Sequence, residues 1–431
     1  MQLQLKPKIW ILRLLAFAVL LVIPRLASAQ GAGQTIYFPL VARAGLPLPG
    51  ADEASRRISL PPGFEIRIFA SGVSGSPRLM DFGPDGWLYV ALINSGEVAR
   101  LPDRNADGLA DGVEIVASGL AGPNNVSWHE GWLYVAEVGQ VVRLQDQNNN
   151  GDFETRQVVT DNLPTGPGHN TRTVHFGPDG KLYVSAGSST NNTPESDPRR
   201  AAILRFNPDG SIPADNPFAG DPDTRKRPVW AWGLRNSVDF LWTPDGTLWA
   251  DHNGSDALDD NNPPEELMIP VRSNQSHGWP YCYTPGVGLN LPTQPEVRDT
   301  RVALPAGFTC AQAVPALLTV EAHSAPLGMA LARGQNFPAA YQDDVFVAMH
   351  GSWNTNSSGS FRDCKVQRVL IENGQVVGSE TFANGWRAPG ALCGNAATWG
   401  RPADVAFGPD GAMYISDDQG LRIYRVIYTG N

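Results

Sequence analysis

One short phrase recurs along this chain and limits what it can fold into. It reads Phe82-Gly-Pro-Asp-Gly-Trp-Leu-Tyr-Val90, then Trp128-His-Glu-Gly-Trp-Leu-Tyr-Val135, Phe176-Gly-Pro-Asp-Gly-Lys-Leu-Tyr-Val184 and Trp242-Thr-Pro-Asp-Gly-Thr-Leu-Trp-Ala250. A degenerate copy is Tyr341-Gln-Asp-Asp-Val-Phe-Val-Ala348, and the last is Phe407-Gly-Pro-Asp-Gly-Ala-Met-Tyr-Ile415. Each copy reads as a strand, a tight turn and a second strand with alternating apolar residues. A further strand follows most copies, as in Val98-Ala-Arg-Leu101, Ile203-Leu-Arg-Phe206 and Ile423-Tyr-Arg-Val426. One such small sheet cannot cover both of its faces, whereas several packed around an axis can. The expected fold is therefore all-β: a six-bladed β-propeller with long loop insertions on one rim, at 185–230 and 252–330. An open solenoid would need shorter and more regular repeats.

Composition agrees with many short strands. The 431 residues include 45 Gly and 36 Pro, about a fifth of the chain against about an eighth in ordinary proteins. With 42% hydrophobic and 18% charged residues, a wholly disordered chain, a coiled coil and a polytopic membrane protein are excluded. The formal net charge of −10 argues against nucleic acid as a partner, which selects a basic face.

The N-terminus reads as a targeting segment. Lys6 and Lys8 precede an apolar run, Pro24 breaks it, and Ala27-Ser28-Ala29 offers small residues for cleavage. That is the layout of a signal peptide over 1–29, and its apolar run is too short for a stable membrane span. Residues 30–56 read as a lead-in tether and 57–431 as the propeller domain. The expected location is secreted or extracytoplasmic, where disulfides persist. Of three possible pairings of the four cysteines, the nearest-neighbour one, Cys282–Cys310 and Cys364–Cys393, closes two loops of similar size.

Several polar residues fall at matching places in the repeat. His169 lies just before the third copy, Arg235 and Asn236 before the fourth, and Arg401 before the sixth. In a propeller such positions converge on one channel mouth, where an Arg can grip a carboxylate and a His can accept a proton. His323 and His350 flank the fifth copy, and Trp353 is a candidate wall for a flat ligand. Asp251-His-Asn-Gly254-Ser255-Asp256, followed by Asp259, Asp260, Glu265 and Glu266, offers carbonyls and carboxylates of the kind hard cations select. Asp103, Asn105, Asp107, Asp111 and Glu114 follow the spacing of a calcium-binding loop, but between strands rather than helices.

Together these phrases resemble the glucose/sorbosone dehydrogenase family, closest to its sorbosone-dehydrogenase-like branch. The resemblance rests on His169-Asn-Thr-Arg172 leading into the third copy, Gly233-Leu-Arg-Asn236, Gly278-Trp-Pro-Tyr281, His350-Gly-Ser-Trp-Asn354 and Gly400-Arg-Pro402. It implies a six-bladed propeller that binds pyrroloquinoline quinone (PQQ) with a calcium ion, and oxidises a sugar, polyol or sugar-derived hydroxy-aldehyde for an external electron acceptor. It implies His169 as general base, Arg235 as the quinone-side arginine, and Asn236 as its neighbouring cofactor contact. Gly254 and Ser255 would give main-chain carbonyls to the calcium, and Arg401 would hold a cofactor carboxylate. The chain departs from the family's soluble glucose enzymes at four places: Ser255 stands where they carry a Pro, Gly168 replaces an Asp, His350-Gly351 stands where they carry a Lys, and Ala403 replaces a second Arg. A non-catalytic binding propeller is the alternative from another class. A calcium-dependent lactonase would need several side-chain carboxylates at the channel mouth.

Overall fold

The computed structural model describes residues 50–430 apart from 149, 291–293, 334–335, 353–354, 356–361, 363, 389–392 and 394–397. The signal-peptide segment, most of the tether and Trp353 thus lie outside the described residues.

All but two of the described strands form six antiparallel sheets, the six blades of a β-propeller, while Cys282–Tyr283 and Val297–Arg298 pair in a separate small sheet. Blade 1 runs Pro77–Phe82, Leu88–Leu92, Glu97–Leu101 and Glu114–Ala117, and blade 2 runs Asn125–His129, Trp132–Ala136, Val141–Gln145 and Thr155–Thr160. Blade 3 has Val174–Phe176, Leu182–Ala186, Ala202–Phe206 and Val229–Trp232. Blade 4 has Phe240–Trp242, Leu248–His252, Glu265–Pro270 and Leu318–Val320, extended by Gly288–Leu289. Blade 5 has Pro326–Leu331, Val345–Met349, Lys365–Glu372 and Gln375–Asn384. Blade 6 takes Pro402–Phe407, Met413–Asp417 and Arg422–Tyr428 from the C-terminal end, and its outer strand, Phe64–Ser71, from the N-terminal side. That shared blade closes the ring. The described end of the lead-in is docked against it, because Asp52 caps the helix Glu53–Arg57 through Ser55 N and also accepts from Ile68 N at 2.6 Å.

The recurring phrase has a local cause. In the first, third and sixth copies the turn Asp accepts the N–H two residues on and the hydroxyl of the phrase's Tyr: Asp85 with Trp87 and Tyr89, Asp179 with Lys181 and Tyr183, Asp410 with Ala412 and Tyr414. That Tyr faces the Arg of the third strand across the sheet, as Tyr89 faces Arg100, Tyr183 faces Arg205 and Tyr414 faces Arg425. Arg205 and Arg425 close the triangle on Asp179 and Asp410. In the degenerate fifth copy the tight turn is replaced by a longer connection, 332–344, that includes the 3-10 turn Ala339–Tyr341, but Asp343 before the second strand still takes the left-handed conformation (φ 66°) that Gly supplies elsewhere, a conformation Asp tolerates better than most residues.

Blades are stitched at the axis by side chains on their innermost strands. Asp81 accepts from Trp128 N, Asn125 from Val174 N, Asp239 from Met329 N, and Asp404 from Met80 N, all at 2.7–2.9 Å. His175 also serves here, bonded to Asp239 at 2.8 Å. Leu79, Val238, Leu327 and Ala403 make an apolar cluster drawn from four blades, so the position where the glucose enzymes carry a second Arg is a packing site. Both disulfides pair as read from spacing, Cys282–Cys310 and Cys364–Cys393. Among the described residues no helix is long and apolar enough to cross a membrane.

Candidate active site

In every blade the first strand begins on the rim where the second ends. His169, Arg235, His323 and Arg401 precede first strands, whereas Gly254, Ser255 and His350 follow second strands, so one rim gathers them all. Two insertions, 187–201 and 253–264, leave from this rim. The longer 271–317 segment leaves from the opposite rim, yet Trp279 Nε1 donates to Asn191 O and Arg301 donates to Ser255 Oγ and Asp256 O.

His169 is half-buried, with Nδ1 at 3.2 Å from Ser188 O and 3.0 Å from Ser188 Oγ. Ser188 Oγ spends its own proton on Thr190 O, so both groups facing Nδ1 are acceptors. Nδ1 therefore carries the proton and Nε2 keeps its lone pair. Among the described residues Nε2 has no hydrogen-bond partner. Burial, then the positive charge of Arg235, pushes the imidazole down to about 4, so it is an uncharged base at neutral pH. Gly187 permits this placement: a Cβ there would lie 2.5 Å from His169 Cβ and 2.6 Å from Asn236 Oδ1.

Arg235 is 5% exposed. Its guanidinium donates to Asn191 O, Asn191 Oδ1, Asp256 Oδ2 and Asn253 O. Asp256 faces His323 Nδ1 at 3.4 Å, and His323 Nε2 lies 3.0 Å from Asp259 O. Asn236 Oδ1 is buried with no partner among the described residues. No hydrogen bond from a described residue reaches the carbonyl oxygens of Gly254 or Ser255.

A second group faces this one from blades 5, 6 and 1. His350 Nε2 contacts Asp418 Oδ1 at 2.8 Å, and Arg78 donates to Asp418 Oδ2 at 2.8 Å. Burial would raise the Asp418 carboxyl, but His350 and Arg78 outweigh it and hold it well below the usual range. Arg401 donates to His350 O and Gly351 O. The Cys364–Cys393 disulfide packs against this loop, since a Cβ on Gly351 would meet Cys393 Cβ at 2.4 Å.

The sequence pointed to His169, Arg235, Asn236, Gly254, Ser255, His323, His350 and Arg401, and they share this rim. It missed Arg78 and Asp418, although their places at the ends of blade strands match those of Arg401 and His350. The acidic run after the fourth copy acts mainly as a set of anchors: Asp256 holds Arg235, Glu265 accepts from Gly254 N at 2.6 Å, and Glu266 holds His252. In the loop with calcium-like spacing, Asp103 accepts from Asp107 N and Gly108 N, Asn105 and Asp107 cap following N–H groups, Asp111 accepts from Arg104 N, and Glu114 pairs with Arg100 and Arg104. Among the described residues no three His, Cys, Asp or Glu side chains are grouped to hold a metal ion.

Known proteins share this architecture. The chain is 25% identical over 339 residues to the aldose sugar dehydrogenase YliI of Escherichia coli, covering 75% of this chain and 79% of that one. The holo form of the pyranose dehydrogenase PQQ domain from Coprinopsis cinerea superposes with a TM-score of 0.67 at 20% identity, covering 89% and 98% of the two chains. The calcium structure of the Trichoderma reesei Carbohydrate-Active Enzymes family AA12 protein does so with a TM-score of 0.66 at 20% identity, covering 89% and 99%. Residues 58–429 match the TrAA12-like family, and the chain belongs to it.

Proposed function

We propose that this protein is a PQQ- and calcium-dependent oxidoreductase of sugars or related polyols and hydroxy-aldehydes. The observation that carries this reading is the pairing of an uncharged His169, its Nε2 lone pair open, with Arg235 on the rim that also holds Arg401 and Arg78. The donor set fits the cofactor. PQQ is a flat tricarboxylate, and this rim carries three guanidinium groups: Arg235 paired with Asp256, Arg78 paired with Asp418, and Arg401 on the carbonyls of His350 and Gly351. The orphaned Asn236 Oδ1 and the carbonyls of Gly254 and Ser255 are oxygen acceptors of the kind calcium selects.

When bound, PQQ supplies the hydride acceptor that no side chain can provide. The residues of this chain do the rest. His169 Nε2 would take the proton of the sugar hydroxyl. Arg235 would orient the quinone side and favour negative charge there. Arg401 and Arg78 would hold carboxylates, with Asn236, His323 and His350 as further cofactor contacts. Gly254 and Ser255 would hold the calcium through their main-chain carbonyls.

The substrate is a small sugar or polyol and the electrons leave to an external acceptor. The two disulfides support an oxidising, extracytoplasmic compartment, in keeping with the signal-peptide reading of 1–29. The test is a PQQ titration of the purified protein with and without calcium, followed by dye reduction over a sugar panel. Saturable, calcium-dependent binding with sugar-dependent reduction is expected. A protein that binds no PQQ under either condition would be a binding propeller instead.

A further inference from the structure

The main-chain N–H of Arg235 donates to His252 Nε2 at 2.8 Å. An imidazole nitrogen that accepts carries no proton, so the proton sits on Nδ1 and is donated to Glu266 Oε2 at 2.7 Å. Glu266 Oε1 in turn accepts from Thr284 N at 2.7 Å, in the long 271–317 segment. His252 is 3% exposed and Glu266 2%, so neither can reach a sugar or a cofactor. The preceding residue on the same strand, Glu265, accepts from Gly254 N at 2.6 Å. Adjacent residues of a strand point to opposite faces, and here one carboxylate serves the loop of Gly254 while the next serves the loop of Arg235.

We propose that His252 and Glu266 are positioning residues that fix the backbone of Arg235, and thereby the direction of its guanidinium. This rests on the reading of Arg235 as a cofactor contact. The carboxylate fixes the tautomer and orientation of the imidazole, and the imidazole presents one lone pair to one amide. Without it, Arg235 keeps its side-chain partners and the bond from Ser188 N to its carbonyl, but loses the bond that holds its amide.

Two measurements test this on the full chain. Hydrogen exchange at the Arg235 amide, read in cofactor-free protein, reports the His252 bond directly. His252→Ala should speed that exchange at least about 10-fold, and Glu266→Gln, which keeps side-chain size, should speed it less. If His252→Ala does not fold, the Glu266→Gln exchange decides. Wild-type exchange at Arg235 in every variant that folds would overturn the proposal. The second measurement is PQQ affinity by fluorescence titration in wild type, His252→Ala, Arg235→Ala and the double variant. Loss of a residue that orients a contact typically weakens binding by about 10–100-fold. Because His252 acts through Arg235, the double variant should bind no more than about 2-fold more weakly than Arg235→Ala alone. Fully additive losses would show a general structural role and overturn the proposal. If wild type binds no PQQ, the functional reading falls, while the exchange result still upholds or overturns the anchor.

Discussion

Arg235 depresses the proton affinity of His169, second only to burial, and together they bring the imidazole down to about 4. A residue read as a cofactor contact thereby keeps its neighbour uncharged, as a general base must be. The sign is clear: the base form predominates above pH 4, and activity is lost as the pH falls through it. An unperturbed His would fail near 6.5. The acid limb of kcat/KM should therefore lie near pH 4. In cofactor-free Arg235→Ala, NMR titration of His169 should show its midpoint moved up toward 6.5. An unmoved midpoint would disconnect the two residues.

Gly187→Ala should cost activity without unfolding the ring. The added Cβ would press on His169 Cβ and Asn236 Oδ1, and a reacting group displaced by about 1 Å loses about 100-fold in rate. Dye-reduction kinetics beside an unchanged melting curve would bear this out.

The ring closure has its own signature. Phe64, on the outer strand of blade 6, makes edge contacts with Phe337, Tyr341, Phe382 and Tyr428 at centroid distances of 4.9–5.1 Å. Phe64→Ala should lower stability by about 3–5 kcal/mol in urea titration. A loss under about 1 kcal/mol would mean that this strand does not hold the ring shut.

The two disulfides brace opposite sides of the site. Each spans about the same stretch, 28 and 29 residues, and in the chain-entropy account each contributes about 3.5 kcal/mol. Replacing Cys364 and Cys393 with Ala should cost stability and also weaken PQQ binding, because that bridge packs on Gly351, whose carbonyl positions Arg401. A destabilised variant with wild-type PQQ affinity would contradict this.

The fold was legible because its signal is local. The Asp of the turn grips the Tyr four residues on, and the whole device fits within one copy of the phrase. Of the fifth copy only the second strand was readable, since its first strand, Pro326–Leu331, lies upstream of a long connection rather than beside a tight turn. His169, Arg235, His350 and Arg401 were legible because repeat positions converge on one rim. Arg78 and Asp418 were not, for their pairing joins residues 340 positions apart, and nothing local marks an Arg for a distant Asp. Glu265 and Glu266 read as cation ligands in an acidic run, whereas burial on a blade strand turns them into anchors. Glu114 sits at a calcium-like spacing, but Arg100 and Arg104 occupy its carboxylate.

The central claim is that His169 takes the substrate proton while other residues hold the cofactor. The most direct test is anaerobic stopped-flow mixing of PQQ- and calcium-loaded protein with a sugar the wild type oxidises, comparing wild type with His169→Gln. Reduction should slow by about 10²–10⁴-fold in the variant, with PQQ affinity within about 3-fold of wild type, since Arg235, Arg401 and Arg78 are untouched. Reduction at the wild-type rate in fully loaded His169→Gln protein would contradict the account.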